Sequence, residues 1–199
     1  MSRTVLYYFT PQSPWSYLGH ARFAELLRAS RREVAVLPVD YGRIFPASGG
    51  LPLPQRAPQR QAYRLLELRR FAEHLGLPLN PQPRFFPVDG TPAALLITAV
   101  AQHDGTEAAM RLAGAVMAAC WREERDIAAA ATLAELLEET DLPPERLREA
   151  QHAEVRARYD AHTQAAIDAG VFGAPSWLVD GELFWGQDRL EFVARKLGL

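Results

Sequence analysis

The chain has 199 residues, 48% of them hydrophobic and 23% charged, with a formal net charge of −2. These values argue against disorder, and the mild acidity with interleaved signs, as in Arg122-Glu123-Glu124-Arg125, excludes the basic surface of a nucleic-acid binder. A single cysteine (Cys120) excludes an intrachain disulfide, the five histidines lack metal-ligand spacing, and no stretch reaches the ~18 apolar residues of a membrane span.

Residues 4–9 read as a buried strand, too short and aromatic for a signal peptide, so the protein is expected in the cytoplasm. Ser13 is a favoured N-cap and Pro14 a favoured first helical residue. A helix is therefore predicted from this point to about Ala29, with Leu18, Phe23, Leu26 and Leu27 at helical spacing. Residues 33–39 predict a second strand, so the chain opens as a βαβ unit with a parallel pair. Residues 42–59, rich in Gly and Pro, are predicted as loop. Helices are predicted at 59–76, 91–103, 105–120, 129–139, 143–150 and 151–169, with Cys120 a buried helix residue. Two strands at 176–180 and 182–185 flank Asp180-Gly181, a strong hairpin signal. A last helix runs from about Asp188 to Lys196. The first two strands and the final hairpin can share one sheet. Residues 1–45 with 171–199 then form one domain, and 46–170 a helical insertion.

Three segments carry the chemistry. Ser13-Pro14-Trp15-Ser16 lies between a buried strand and the helix it opens, where free N–H groups and the helix dipole favour an anion. A disulfide enzyme of this topology would place Cys-x-x-Cys here. Serine at both positions cannot do that chemistry, but a serine hydroxyl can donate to a thiolate supplied by a ligand. Gly173-Ala174-Pro175-Ser176 precedes a strand, and proline facing the helix turn suggests a cis bond. Such a loop would expose the Ala174 backbone for pairing with a peptide-like ligand. In Trp185-Gly186-Gln187-Asp188-Arg189-Leu190, Asp188 could cap the last helix or hold a ligand's ammonium group. Trp15, Tyr63, Phe86, Trp121 and Trp185 are candidates for an aromatic pocket or for the core.

Together with Arg60-Gln61-Ala62-Tyr63, Gly76-Leu77-Pro78 and Phe86-Pro87-Val88-Asp89, these motifs resemble the 2-hydroxychromene-2-carboxylate isomerases. Those are relatives of the kappa-class glutathione transferases in the DsbA-like thioredoxin superfamily. The resemblance runs over nearly the whole chain. It implies an α/β, thioredoxin-like fold with a large all-helical insertion, and a glutathione-dependent isomerase acting on 2-hydroxychromene-2-carboxylate or a related aromatic-derived acid. Ser13 matches the catalytic serine. Gln187 and Asp188 match positions that hold the γ-glutamyl end, Ala174 with Pro175 the backbone that pairs with the cysteinyl unit, and Arg60 a ligand-contacting lysine. Trp15, Ser16, Tyr63, Phe86 and Trp121 would line the substrate pocket. The resemblance suggests a homodimer. The rival readings are a kappa-like glutathione transferase that releases the conjugate, and a noncatalytic thiol-peptide or protein-binding module.

Overall fold

The structure is a computed structural model, and it describes residues 4–199. Four strands form one mixed sheet in the order β2-β1-β3-β4. β1 (Thr4–Phe9) pairs in parallel with β2 (Glu33–Pro38) and antiparallel with β3 (Ser176–Val179), which pairs with β4 (Glu182–Trp185). α1 (Pro14–Ser30) makes the crossover between the parallel strands.

β1 is buried on both faces, and its alternation sorts its side chains between two cores. Val5, Tyr7 and Phe9 belong to the larger core, with Phe23 and Leu27 of α1 and Trp177 of β3. Tyr8 belongs to a smaller core on the other face, with Val39, Ile44 and Ala166. Tyr7 is the hub of the larger one, its ring centroid 4.6 Å from Phe9, 4.9 Å from Phe23 and 5.9 Å from Trp177. The Tyr7 hydroxyl lies 3.2 Å from His20 Nδ1, and His20 Nε2 lies 2.9 Å from the Met110 carbonyl. A carbonyl only accepts, so Nε2 carries the proton and Nδ1 accepts from Tyr7. Burial holds this imidazole neutral, with its pKa lowered to about 4.

The helical block is built on α4 (Thr91–His103), in which every residue from Ala93 to Val100 is buried. A helix apolar all round must be enclosed, and α4 packs against α5 (Gly105–Trp121), α6 (Ala130–Glu139), α7 (Arg146–Glu149), α8 (Ala153–Asp168) and β2. The hairpin turns on Asp180 and Gly181, both at positive φ, as its sequence predicts. No helix among the described residues is long and apolar enough to cross a membrane.

Two sequence expectations are corrected. Residues 42–59 are not all loop: α2 (Tyr41–Ser48) forms there, capped by Asp40, whose Oδ1 accepts from the Gly42 amide at 2.7 Å. Pro46 sits inside α2, where its missing N–H removes one hydrogen bond of the ladder. The helix that follows, α3 (Pro58–Leu75), starts as predicted. At the other end, Asp188 does not cap the last helix. It lies in a short 3-10 turn (Gln187–Arg189) ahead of α9 (Leu190–Leu197), and its carboxylate pairs with Arg189 at 2.7 Å.

Gly181 adopts φ +84°, a region that costs an L-residue about 1–2 kcal/mol. Gly181→Val should lower the urea midpoint by at least that equivalent with an unchanged slope, and an unshifted midpoint would refute the assigned turn. Burial raises the Cys120 thiol to about 12, so it stays protonated through pH 9. The native protein should react with a chromogenic disulfide over hours rather than minutes at pH 8, and at once in denaturant. Fast native reaction would contradict this packing.

Candidate functional site

Ser13 closes the last stretch between β1 and α1. Its own amide donates to the Thr10 carbonyl at 3.0 Å, and its carbonyl accepts from the Tyr17 amide at 3.1 Å. Its Oγ accepts the Ser16 amide at 3.2 Å, so Ser13 is the N-cap of a 17-residue helix. The hydroxyl proton has no acceptor among the described residues. Ser13 is thus a satisfied cap with a donor left over, at the positive end of a helix dipole. The buried Ser16 Oγ has no hydrogen-bond partner among the described residues.

The cis Ala174–Pro175 bond lies at the same end of the sheet. Tyr8 pairs with Ser176, and extending that register by two residues brings Ala174 level with Thr10. The loop is held from behind. The Tyr41 hydroxyl and Ser176 Oγ both donate to the Gly173 carbonyl, at 2.6 and 2.7 Å. The Tyr41 phenol is held far above its ordinary range by burial, so it remains a donor. The Gly186 amide donates to the Pro175 carbonyl at 2.9 Å. The Ala174 amide and carbonyl have no hydrogen bond among the described residues. A Cβ on Gly173 would overlap the Trp185 indole nitrogen, so any larger residue there would displace that ring. Trp185 and Phe172, rings 4.8 Å apart and both half-exposed, border this loop.

Gln187 lies on α1. A Cβ on Gly19 would come 2.9 Å from Gln187 Cβ, and Arg22 donates to Gln187 Oε1 at 2.9 Å. Gln187 is buried, and its Nε2 has no partner among the described residues. Asp188 beside it is half-exposed. Unpaired buried polar groups cost about 1–3 kcal/mol each. The orphaned atoms of Ser16 and Gln187 are enclosed in the protein, so Ser16 does not line a pocket as expected; the free backbone of Ala174 is what fits a polar, peptide-like ligand.

The opposite wall is α3. Phe71 meets the Trp15 ring edge-on at 5.9 Å. Leu68 is fully buried, and Arg64, seven residues before Phe71, shares that helix face. The Arg64 guanidinium lies 5.2 Å from the Phe86 ring centre and 5.7 Å from that of Trp121. A cavity of about 310 Å³ opens here, lined by Gln61, Arg64, Leu65, Phe86 and Pro87 among others. The 86–90 loop leads from it back to Ser13, since Gly90 is pressed against the Gln12 side chain, where a Cβ would overlap Oε1. A larger cavity of about 860 Å³ lies along the later turns of α1, against α5. It is lined by none of the residues around Ser13.

Ser13, Ser16, Ala174 and Pro175 therefore lie at the end of the sheet where α1 begins, while Gln187 packs one to two turns further along α1, against Gly19 and Arg22, with Asp188 next to it. Phe86 lines the α3-side cavity, while Trp121 is fully buried behind it. Arg60 is exposed on the first turn of α3, and Tyr63 is half-exposed on its outer side. Two contributors escape the sequence reading. Tyr41 falls between the second predicted strand and the 42–59 stretch read as loop, and no motif marks it. Arg64 carries one faint signal, the four-residue spacing from Arg60 with no acidic residue four positions away.

The family model of the DSBA-like thioredoxin domain matches residues 4–198. The chain is 27% identical over 197 residues to a 2-hydroxychromene-2-carboxylate isomerase of Sphingobium xenophagum, covering 97% of each. It is 26% identical over 200 residues to glutathione S-transferase kappa 1 of Caenorhabditis elegans, covering 94% of this chain and 88% of that one. A solved 2-hydroxychromene-2-carboxylate isomerase structure superposes with a TM-score of 0.84 at 26% identity, covering 98% and 94% of the two chains. The resemblance drawn from the motifs is met by these matches, and the four-stranded mixed sheet with its block of helices is the fold it implied. The chain belongs to the DSBA-like thioredoxin family.

Proposed function

We propose that the protein is a glutathione-dependent isomerase acting on 2-hydroxychromene-2-carboxylate or a related aromatic-derived acid. The observation that carries this reading is Ser13: a hydroxyl that satisfies the helix it caps and still has its proton to give, where a disulfide enzyme would need a cysteine. The isomerase relatives support the reaction class, and the free Ala174 backbone supports a peptide-like thiol. Glutathione, when bound, would supply a thiolate able to add reversibly to an electrophilic carbon and leave again.

The chain's own groups account for the rest. Ser13 Oγ donates to the sulfur, and the first turn of α1 adds its dipole. Ala174 offers one donor and one acceptor to the cysteinyl unit, and its loop is kept in place by Tyr41, Ser176 and Gly186. Asp188 would take the ammonium group in exchange for Arg189, and Gln187 holds the Asp188 turn on α1. Arg60 is available to a carboxylate at the outer end of the ligand.

The magnitudes are sufficient. A thiol with a pKa near ~8.5 is only a few per cent ionised at pH 7. Lowering it by about two units requires ~2.7 kcal/mol of differential stabilisation. A charge-assisted hydrogen bond supplies about 1.5–3 kcal/mol, and a helix N-terminus about 0.3–1 kcal/mol. Ser13 keeps its own proton, so no general base is required.

The kappa-class relative favours a second reading, a transferase that releases the conjugate. Free thiol followed during turnover separates the two, staying constant for the isomerase and falling with product for the transferase.

Calorimetric titration with glutathione between pH 6 and 9 should show proton release near pH 7 for the wild type. A lowered thiol pKa ejects a proton below the free value and none well above it. Ser13→Ala should lose that release and reduce turnover by roughly 10- to 100-fold at pH 7, with the rate recovering as pH approaches ~8.5. Binding without proton release in the wild type would rule out a thiolate at Ser13. No binding at millimolar glutathione would leave the noncatalytic groove as the better account.

A further inference from the structure

Arg56, Arg60 and Arg64 gather three positive charges at the start of α3. Arg60 and Arg64 are one turn apart on the helix, and the Arg56 charge acts on both. Like charges at such spacing repel, yet among the described residues none of the three pairs with a carboxylate. The nearby acids are engaged elsewhere. Glu67 pairs with Arg70 at 2.7 Å, and Glu124 accepts from Asn80 and the Arg84 amide. Arg56 at least donates Nε to the Leu51 carbonyl at 2.8 Å. Arg64 makes no side-chain hydrogen bond among the described residues, although it is partly buried against two aromatic rings. Burial and the Arg56 charge lower its pKa to about 10, so it is still a full cation at neutral pH.

The surroundings define what would complete it. Apart from Arg64, the ~310 Å³ cavity is walled by Leu53, Leu65, Phe86, the prolines of the 81–87 loop and the amide side chains of Gln61 and Gln82. The Gln61 amide is engaged with the Arg56 carbonyl at 2.7 Å. An apolar cavity with one cation and a ring face takes a small flat acid, and a guanidinium fork matches a carboxylate. The volume lies at the small end of ligand pockets, enough for one ring system and not for a tripeptide as well. Three residue steps of chain lead from Pro87 in its wall to Gly90, which touches Gln12 beside Ser13, a span of at most ~11 Å.

We propose that Arg64, backed by Arg56, receives the carboxylate of the acceptor acid beside the Phe86 ring, making Arg64 the residue that selects acids over neutral rings. The assignment of this acid as the acceptor rests on the isomerase reading above; the preference for a carboxylate does not. Arg64 acts here as a binding residue, distinct from Ser13 and from the backbone that faces the thiol.

The test uses two inert probes, chromone-2-carboxylate and uncharged chromone, titrated into the full-length protein alongside glutathione. The wild type should bind the acid about 10- to 100-fold more tightly than the neutral ring. Arg64→Met, which keeps the apolar stem, should abolish that preference while glutathione affinity stays within about twofold; Arg64→Lys should retain part of it. Equal binding of the two probes by the wild type overturns the proposal. So does an Arg64→Met variant that keeps the preference. Should Arg64→Met fail to melt cooperatively, the wild-type ratio and the Arg64→Lys value decide. Loss of glutathione binding in the wild type with the acid preference intact would instead remove the glutathione reading and leave this site standing.

Discussion

The first turn of α1 sets the terms for everything around it. A helix begins with N–H groups that have no partner in their own helix, and this one begins at the buried end of the central strand. Ser13 accepts one of those groups and so keeps its side chain at the turn rather than free to rotate away. The structural duty does not consume the hydroxyl's donor. One side chain can therefore serve both stability and ligand recognition, so the cap and the proposed catalytic role do not compete.

The cis-proline loop depends on supports outside its own sequence. Its Gly173 carbonyl takes two hydroxyl donors, one from Tyr41 and one from Ser176, and the Pro175 carbonyl takes the Gly186 amide. Those bonds leave Ala174 with an open donor and an open acceptor. They also tie the loop to α2 on one side and to the 186–188 turn on the other. Gln187 then fastens that turn to α1 through the narrow approach at Gly19 and the bond from Arg22. The start of α1 and the 173–188 segment, more than 150 residues apart in sequence, are thereby kept in one arrangement with α2.

The α3 side has a different character. The cis-proline side is a set of backbone groups and short polar chains, suited to a peptide. The α3 side is rings, prolines and guanidinium groups, suited to a flat anion. Under the proposed function the two kinds of lining divide two ligands between two walls of the site, with the 86–90 loop joining them through Gly90 and Gln12.

Local chemistry in the sequence determined much of this molecule. Ser13-Pro14 announces a helix start and Asp180-Gly181 a hairpin, because caps and turns act over a few residues. Serine at positions 13 and 16, with one cysteine in the chain, ruled out dithiol chemistry by atom type alone. Other features depended on tertiary contact. α2 forms in a segment dense with Gly and Pro, where local propensity is weak, and it is held by an Asp40 cap and by packing of Tyr41 and Ile44 against β1 and α8. Asp188 pairs with Arg189 instead of capping α9, since a 3-10 turn intervenes. Arg64 reads in sequence as one more charge on a solvated helix. Only the fold sets it against Phe86 and Trp121 with no carboxylate paired to it among the described residues, because whether a charge is solvated or waiting for a partner depends on what the rest of the chain packs around it.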